Sequence, residues 1–353
     1  MAASMTHPVY TAKLVKETTS EKNNEITTTT TTYPLKNVTT DLVISHPEKE
    51  LAEKVTLSLM NIKVGSSYLR DIIKLKDKVY VYADTGSGAK EVFRGFVYER
   101  AHPEDADANE VKLVCYDKLI YLQKSKDNLF VKKGKKTKDI ITSLAKKWGI
   151  KINYKYGSIS HPKLVFQSKH ISDILITILE EAKKKLGSGY TIYLDKDTMV
   201  IDYEGNNSPV YKIAKGENSI RCNYVQTMEG MVTKVQIVKA ETVKKGSGKE
   251  ETGKYLTVTS VSKNTDKYGT LQDIIVKKKD DKLSEVKKEA NEILKENATP
   301  KEESDVDSID IPWVKKGDQI YIQSGSMNGY YIAKSVEHDA LDNIMSLEVK
   351  KYE

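Results

Sequence analysis

The chain has 353 residues, of which 39% are hydrophobic and 30% are charged. This length predicts two or three domains, and the composition excludes collagen-like rods, coiled-coil rods and global disorder. No run approaches 18 apolar residues and no signal-peptide pattern opens the sequence, so we expect a soluble, cytoplasmically made protein that does not bind membranes by itself. The two cysteines, Cys115 and Cys222, are too few for a disulfide framework or a structural zinc site.

The charge balance is mildly basic, with 57 basic against 50 acidic residues and a net charge of +7. Almost all of the basic residues are lysines, whereas proteins that read nucleic-acid sequences usually rely on arginine forks. Lysine and glutamate are interspersed along the chain, which is typical of a solvated surface. We therefore expect no sequence-specific nucleic-acid partner.

The N-terminal third is predicted to be β structure. Residues 17–24 are polar and read as a flexible segment. The six threonines at 27–32 form either a low-complexity run or a strand, and we favour a strand because β-branched residues suit an extended backbone. Alternating apolar and polar residues then predict strands at 79–82, 92–98 and 111–122. Residues 1–124 are predicted to form a first β-barrel domain.

The middle of the chain is predicted to be helical. Residues 137–148 place apolar side chains on one helical face, and Gly149 follows as a C-terminal cap. A second helix at 171–186 ends in three lysines and Gly187, as the helix dipole and a left-handed cap both favour. A hairpin at 190–203 completes a small α/β insert domain, which we assign to residues 125–205.

The C-terminal third returns to β structure. Strands are predicted at 232–238, 319–322 and 344–349, and the glycine-rich stretch 244–253 reads as an exposed hairpin tip or loop. A third helix is predicted at about 283–294. We assign residues 206–353 to a second β-barrel domain with a helical excursion near 281–297.

The two flanks of the chain resemble each other. Residues 77–81, a turn with glycines and residues 93–99 near the start correspond to residues 318–322, a turn and residues 329–337 near the end. One more alternating strand follows each block, and an acidic residue opens each block. This order suggests a duplicated β module, although any two hairpins in a chain rich in tyrosine and lysine would look similar. If the duplication is real, three chains would present six modules in a ring with pseudo-sixfold symmetry.

The sequence offers no convincing active site. The histidines lack metal-ligand spacing, and each is expected to be a surface or strand residue. The sequence GSGK at 246–249 lacks the first glycine and the magnesium-binding residue of a phosphate loop, and SLAK at 143–146 lacks the motifs that accompany a serine nucleophile. Cys115 lies within a predicted strand and is expected to be a buried thiol. We predict no catalytic residue, no metal site and no cofactor.

Several segments carry a family resemblance. They are FRGFVYER at 93–100, VCYDKLIYL at 114–122, SDIL at 172–175, NGYY at 328–331, EH at 337–338 and MSL at 345–347. In this order they resemble the baseplate hub family of contractile phage tails and phage-like particles, of the PBSX prophage XkdQ type. The resemblance runs from about residue 73 to the C-terminus, and the threonine run lies outside it.

The resemblance implies an α+β, mainly β fold with two related antiparallel tube-type β-barrels flanking the small α/β insert domain. It also implies a homotrimeric ring that joins the hexameric tail tube to a trimeric central spike in the baseplate of a virion or tail-like particle, after assembly in the bacterial cytoplasm. The partners would be the tail tube or tube-initiator protein, the spike and the baseplate wedge proteins, with the tape-measure protein as a candidate in the lumen. Two alternatives stay open: a cell-wall hydrolase and a surface-binding protein at the particle tip.

The candidate site residues are therefore structural. Tyrosines and a phenylalanine are predicted to be core or interface anchors, about half of them in the core of their own domain: Tyr80, Tyr82, Phe93, Tyr98, Tyr321, Tyr330 and Tyr331. Other residues of the family pattern are structural or interface candidates: Arg94, Gly95, Asp173, Asp318 and Gly329. Asp117 and His338 are expected to support the fold and not to act as catalysts.

Overall fold

The structure, a computed structural model, describes residues 7–22, 25–102, 109–244, 250–277 and 281–352. The chain divides into two compact units. The larger unit comprises Met1–Asn223 and Ser304–Glu353, and the smaller comprises Tyr224–Glu303.

The elements alternate between long β stretches and a few helices. The strands of the N-terminal part are β1 (Val9–Lys22), β2 (Glu25–Pro34), β3 (Thr39–His46), β4 (Lys54–Met60), β5 (Lys63–Val64), β6 (Ser67–Tyr68), β7 (Lys78–Asp84), β8 (Lys90–Ala101) and β9 (Glu110–Tyr116). The middle strands are β10 (Lys126–Val131), β11 (Lys151–Tyr154), β12 (Leu164–His170), β13 (Tyr190–Asp195), β14 (Thr198–Tyr203) and β15 (Tyr211–Ala214). The remaining strands are β16 (Ser219–Thr227), β17 (Lys234–Lys244), β18 (Glu250–Ser262), β19 (Gln272–Lys277), β20 (Lys301–Ile309), β21 (Gln319–Ser324), β22 (Met327–Asp339) and β23 (Ile344–Lys351). The helices are α1 (Leu69–Ile72), α2 (Ile120–Lys124), α3 (Thr137–Lys147), α4 (Ile171–Leu186), α5 (Thr265–Tyr268) and α6 (Leu283–Asn297).

The threonine run is a strand, as predicted. It forms most of β2, which pairs with β1 in antiparallel register and places threonines opposite one another, such as Thr18 opposite Thr29. The prediction of a flexible segment at residues 17–24 is wrong for residues 17–22, because the backbone groups of β1 are paired with those of β2 along that stretch. Residues 23 and 24 lie outside the described part of the chain.

One hydrogen-bonded ladder connects both flanks of the chain. Its strand order is β16-β20-β23-β22-β3-β4-β9-β8-β7-β1-β2, and β21 joins it by pairing with β22 and β15. The N-terminal strands bury one apolar cluster around Phe93, and the C-terminal strands bury a second around Ile320. The predicted fold class, mainly antiparallel β with two related β modules, is confirmed. The structure adds that β3 and β22 join the two modules edge to edge.

The α/β insert lies between the two modules along the chain. Helices α3 and α4 bury a common apolar cluster that includes Ile141, Leu175 and Ile178. Helix α4 has the predicted bounds and ends at Gly187, whose φ of 74° is the left-handed conformation that glycine adopts without strain. Helix α3 has the predicted start and ends one residue earlier than predicted.

The smaller unit, Tyr224–Glu303, has its own core. Strands β18, β17 and β19 form a three-stranded sheet, and α6 contributes Ala290 to a cluster with Val235 and Ile237 of β17. The sequence predicts a strand at 232–238 and a helical excursion near 281–297 in this region, which correspond to β17 and α6, but it does not predict β18 and β19. Of the predicted hairpin tip at 244–253, residue 244 ends β17 and residues 250–253 begin β18. The phosphate-loop look-alike at 246–249 lies outside the residues that the structure describes. The exact domain boundaries stay a prediction. In the described part of the chain, no helix has the length and apolarity needed to cross a bilayer.

Candidate assembly interface

The two β modules share a backbone motif at their start. In the first, the backbone N–H of Lys74 donates to Oδ2 of Asp77 at 2.8 Å. In the second, the N–H of Lys315 donates to Oδ2 of Asp318 at 2.9 Å. Each aspartate also ends a tight turn, since its own N–H donates to the carbonyl of the same lysine. The acidic residue that opens each sequence block is therefore a turn-forming residue.

The same correspondence continues into the next strands. The N–H of Val97 donates to the carbonyl of Asp77, and the N–H of Ala333 donates to the carbonyl of Asp318, both at 2.9 Å. A β-bulge follows directly after Val97 in β8 and directly after Ala333 in β22. A random similarity between two hairpins would not reproduce both the turn and the position of the bulge.

Five strands in each flank have the same order. We call β3-β4-β9-β8-β7 the first module and β16-β20-β23-β22-β21 the second module, so that β16 matches β3, β20 matches β4, β23 matches β9, β22 matches β8 and β21 matches β7. Val97 matches Ala333, so residue numbers in β8 and β22 differ by 236 (333 less 97). The N–H of Met60 donates to the carbonyl of Val38, and the N–H of Ile309 donates to that of Asn218. Numbers in β3 and β16 therefore differ by 180 (218 less 38). The ion pair of Arg221 with Asp307 on β20 fits the same difference beyond the register shift of β3, because these residues match the opposed pair Asp41 and Ser58.

Two of the predicted anchors lie in the cores of their modules. Phe93 is buried in the first core and Tyr331 in the second. Gly95 is required by close packing, because a Cβ at this position would collide with the carbonyl oxygen of Tyr116 on β9. Gly95 and Tyr331 occupy matched positions, so the modules differ strongly here in side-chain size.

Other predicted residues form matched pairs across two strands. The guanidinium of Arg94 lies 5.1 Å from the ring centroid of Tyr80, and the rings of Tyr330 and Tyr321, at the matched positions, are also 5.1 Å apart. Arg94 further donates to Glu91 and Asp197. These pairs stabilise the first hairpin of each module.

The remaining pattern residues lie at or near the surface. Tyr82 is partly buried beneath the ammonium of Lys13, 4.6 Å from the ring centroid. Tyr98 is 44% exposed and packs edge-on against Tyr116. Asp173 is exposed in the first turn of α4, and Gly329 lies in β22 with a φ of 144°. The role of these residues as interface anchors stays a prediction.

His338 belongs to a buried polar cluster that the sequence analysis did not find. Its Nδ1 lies 2.6 Å from Oδ1 of Asp310, and its Nε2 lies 3.1 Å from the carbonyl oxygen of Val314. The hydroxyl of Tyr10, 300 residues away in sequence, donates to Oδ2 of the same aspartate. Burial and the neighbouring Asp310 raise the pKa of Tyr10, so its proton is held in this network. The cluster supports the fold, because it ties β1 to the second module.

Asp117 belongs to a second buried cluster at the junction of the modules. Its carboxylate accepts hydrogen bonds from the backbone N–H groups of Leu119 at 2.8 Å and Glu53 at 3.2 Å. Burial, together with Glu53, raises the pKa of Asp117 to about 8. Burial lowers the pKa of Lys316 to about 8, although its ammonium donates to the carbonyls of Pro47 and Glu50. No local sequence signal marks Lys316 or Glu53 as members of this cluster, because the residues are far apart along the chain.

The described residues contain little that could perform catalysis. Burial raises the pKa of the Cys115 thiol, which disfavours the reactive thiolate. Ser143 is exposed on α3. The expectation that each histidine is a surface or strand residue is wrong for His161, which is buried outside the strands between Glu181 and Thr137. Among the residues that the structure describes, no group of three or more histidine, cysteine or acidic side chains is arranged to hold a metal ion.

Comparison with protein families gives a match over most of the chain. A YQBQ-like family model matches residues 44–350. The chain belongs to the YQBQ-like family. The comparison with curated proteins finds no significant match.

Solved structures share the fold at low sequence identity. The 43 kDa tail protein of prophage MuSo2 from Shewanella oneidensis is 12% identical with a TM-score of 0.63, covering 97% of this chain and 98% of that chain. A tail protein from Neisseria meningitidis MC58 is 13% identical with a TM-score of 0.62, covering 97% of each chain. The E. coli c3393 protein, a type VI secretion component described as similar to the T4 phage tail proteins gp27 and gp5, is 10% identical with a TM-score of 0.51, covering 89% of this chain and 74% of that chain. The predicted resemblance to phage hub proteins is thus confirmed for the family and the fold.

Proposed function

We propose that this protein is a structural hub of a contractile phage tail or tail-like particle, in which three copies form a ring with pseudo-sixfold symmetry. The observation that carries the proposal is the internal duplication, with its matched turns, bulges and strand order. Three copies of a chain with two equivalent modules present six modules, which matches a hexameric tube on one face. The threefold repeat of the whole chain matches a trimeric spike on the other.

The proposed partners of the hub follow from this arrangement and from the proteins that share the fold. The tail protein of prophage MuSo2, the tail protein from Neisseria meningitidis MC58 and a type VI secretion component share the fold. We propose the tube or tube-initiator protein, the central spike and the baseplate wedges as partners, with the tape-measure protein in the lumen. The location is the bacterial cytoplasm during assembly and then the baseplate of the particle.

The proposal assigns no catalytic step to the chain. Buried charged groups form hydrogen bonds within the fold, as Asp310 does with His338 and Asp117 does with Leu119. No described residue favours the hydrolase alternative, since Ser143 is exposed on a helix and the Cys115 thiol is buried.

The mass of the purified protein in solution tests the proposal. Sedimentation velocity should give a species of about 119 kDa, three times the chain mass of 39.8 kDa, and negative-stain images should show rings. If the chain assembles only on its partner, the same species should form when the spike protein is co-expressed. A protein that stays monomeric under both conditions would contradict the proposed hub.

A further inference from the structure

The junction between the two modules is a strand pair within one chain. Strand β3 pairs antiparallel with the C-terminal end of β22, with His46 opposite Val336 and Ser45 opposite Glu337. Strand β22 bends at its bulge, leaves β21 and continues along β3. As a result His46, Ser45 and Val336 are buried.

In the second module, the edge strand that matches β3 has no strand paired with it on its outer side among the described residues. Strand β16 matches β3 but ends the ladder, with β20 on one side and no strand on the other among the described residues. The residues that match Ser45 and His46 are Val225 and Gln226, and both are exposed. Val225 is 40% exposed, whereas Ser45 is 4% exposed.

The first module has the complementary edge. Strand β8 matches β22 and also continues past its bulge. One edge of this continuation pairs with β9, with Arg100 opposite Leu113 and Ala101 opposite Lys112. On the other side β7 pairs with β8 only as far as Phe96, and no described strand pairs with the continuation. This is the position that β3 occupies in the second module.

We propose that β16 of one copy pairs antiparallel with the end of β8 of a second copy, repeating between chains the pairing of β3 with β22. The offsets fix the register, with Gln226 opposite Arg100 and Val225 opposite Ala101. This inference rests on the proposed ring, and it names the strands that close it. Because each copy offers one β16 edge and one β8 edge, the contact is head-to-tail and closes only as a ring.

The side chains around the two edges support a covered contact between copies. Within the chain, Lys334 of β22 forms an ion pair with Glu48 at 3.1 Å. The matched residues are Tyr98 and Met228, each 44% exposed. The charged pair of the junction within the chain is thus replaced by an apolar pair that the proposed strand pairing would bring together.

The exposed side chain of Leu75 also supports a covered contact between copies. It matches Lys316, whose ammonium donates to the carbonyls of Pro47 and Glu50 just after β3. Leu75 is 61% exposed. In the proposed contact it would lie against residues 227–230 of the second copy and lose that exposure, and burying apolar surface of this kind favours association.

Disulfide trapping tests the register. In a Cys222→Ala background, we combine Val225→Cys with Ala101→Cys and oxidise the protein with diamide. Directly opposite residues of an antiparallel pair lie within disulfide range. We expect covalent dimers and trimers on non-reducing gels, which disappear on reduction.

The duplication provides matched controls. The pair Ser45→Cys with Glu337→Cys occupies the equivalent positions within one chain, so its disulfide should form without increasing the mass. The pair Gln226→Cys with Ala101→Cys is one residue out of register and places the two side chains on opposite faces, so it should cross-link at least tenfold more slowly. Equal cross-linking by the two intermolecular pairs would overturn the register.

A second test, with charged substitutions, does not depend on disulfide geometry. Met228→Glu or Tyr98→Lys alone should shift the sedimenting species towards the monomer, and the double variant should restore the trimer by reproducing the Lys334–Glu48 ion pair. Trimers that form without the Val225–Ala101 disulfide and without this coupling would refute the strand pairing while leaving the proposed hub intact. A chain that is monomeric in every form, with or without the spike protein, would refute both.

Discussion

The two modules have the same strands in the same order but differ in what covers their edges. In the second module, the end of β22 is covered by β3 of the same chain, and the charged pair Lys334 and Glu48 lies beside this junction. In the first module, no described strand covers the end of β8, and its surroundings include the exposed apolar side chains of Tyr98 and Leu75. The duplicated edges have therefore diverged towards different surroundings.

The difference has a physical reason. At the junction within the chain, the partner segments are always present, so a lysine such as Lys316 finds fixed carbonyl acceptors. A contact between separate copies must overcome the entropy lost on association, and burial of apolar surface provides a driving force that does not depend on exact geometry. Changes at matched positions in the two modules can test how far this divergence extends.

The largest effect is expected at Gly95 in the first module. Gly95→Val places a branched side chain against the carbonyl of Tyr116, which is backbone and cannot move aside. We expect the free energy of unfolding to fall by about 3 kcal/mol, measured by urea denaturation. Lys112→Val, at an exposed position of β9, should change it by less than about 0.5 kcal/mol.

The matched position in the second module should respond differently. Tyr331 fills its place with a large buried side chain, so a valine there leaves a gap and not a collision. If Gly95→Val unfolded at the same urea concentration as the unmodified protein, the close approach of β8 and β9 would not constrain this residue.

Much of the fold is predictable because its signals are local. Helix α4 is marked by its apolar spacing, its lysines and Gly187, and the strands are marked by alternation. The duplication is visible because the turn aspartates Asp77 and Asp318 precede similar strands. These features depend on residues that are close together along the chain.

The buried clusters and strands β18 and β19 of the smaller unit are not predictable in this way. Tyr10 meets Asp310, and Lys316 meets Glu50, only through strand pairings across the whole sequence. The exposed apolar pair Tyr98 and Met228 has no pattern of its own, and it becomes informative only once the register of both modules is known. In residues 224–303, strand β17 and helix α6 are predicted from the sequence, whereas strands β18 and β19 are not.

The next largest effect concerns Asp117, which follows β9. The residue at the matched position is Lys351, the last residue of β23, which is exposed. Burial raises the pKa of Asp117 to about 8 from an ordinary value of 3.8. A carboxyl whose pKa is raised in the folded state contributes stability at low pH, and that contribution is lost as the pH rises from about 4 to 8.

Asp117→Asn should therefore weaken the pH dependence of stability. Between pH 5.5 and 7, we expect the unmodified protein to lose about 2 kcal/mol more of its free energy of unfolding than the variant does, measured by urea denaturation at each pH. The interval stops at pH 7 because Lys316, whose pKa is lowered to about 8, begins to lose its proton above it. Asp173→Asn, on an exposed helical turn, is the control. Identical pH profiles for the unmodified protein and Asp117→Asn would contradict the prediction.

The smallest effect is expected when the first module is given the cross-strand pair of the second. Arg94→Tyr places a tyrosine opposite Tyr80, as Tyr330 lies opposite Tyr321. The variant loses partly exposed ion pairs to Glu91 and Asp197, which contribute little in water, and gains an aromatic pair. We expect a loss of about 0.5 kcal/mol or less in the free energy of unfolding, against about 1 kcal/mol or more for Arg94→Ala, which loses both kinds of contact.

The relative stability of Arg94→Tyr and Arg94→Ala shows which contact of Arg94 stabilises the first hairpin. If tyrosine restores most of what alanine loses, the cross-strand ring contact is the feature that the two modules share, and the ion pair to Asp197 of the β13–β14 hairpin is an addition of the first module. If tyrosine is as destabilising as alanine, that ion pair is what Arg94 contributes. The two hairpins would then match in backbone register while their side chains stabilise them by different means.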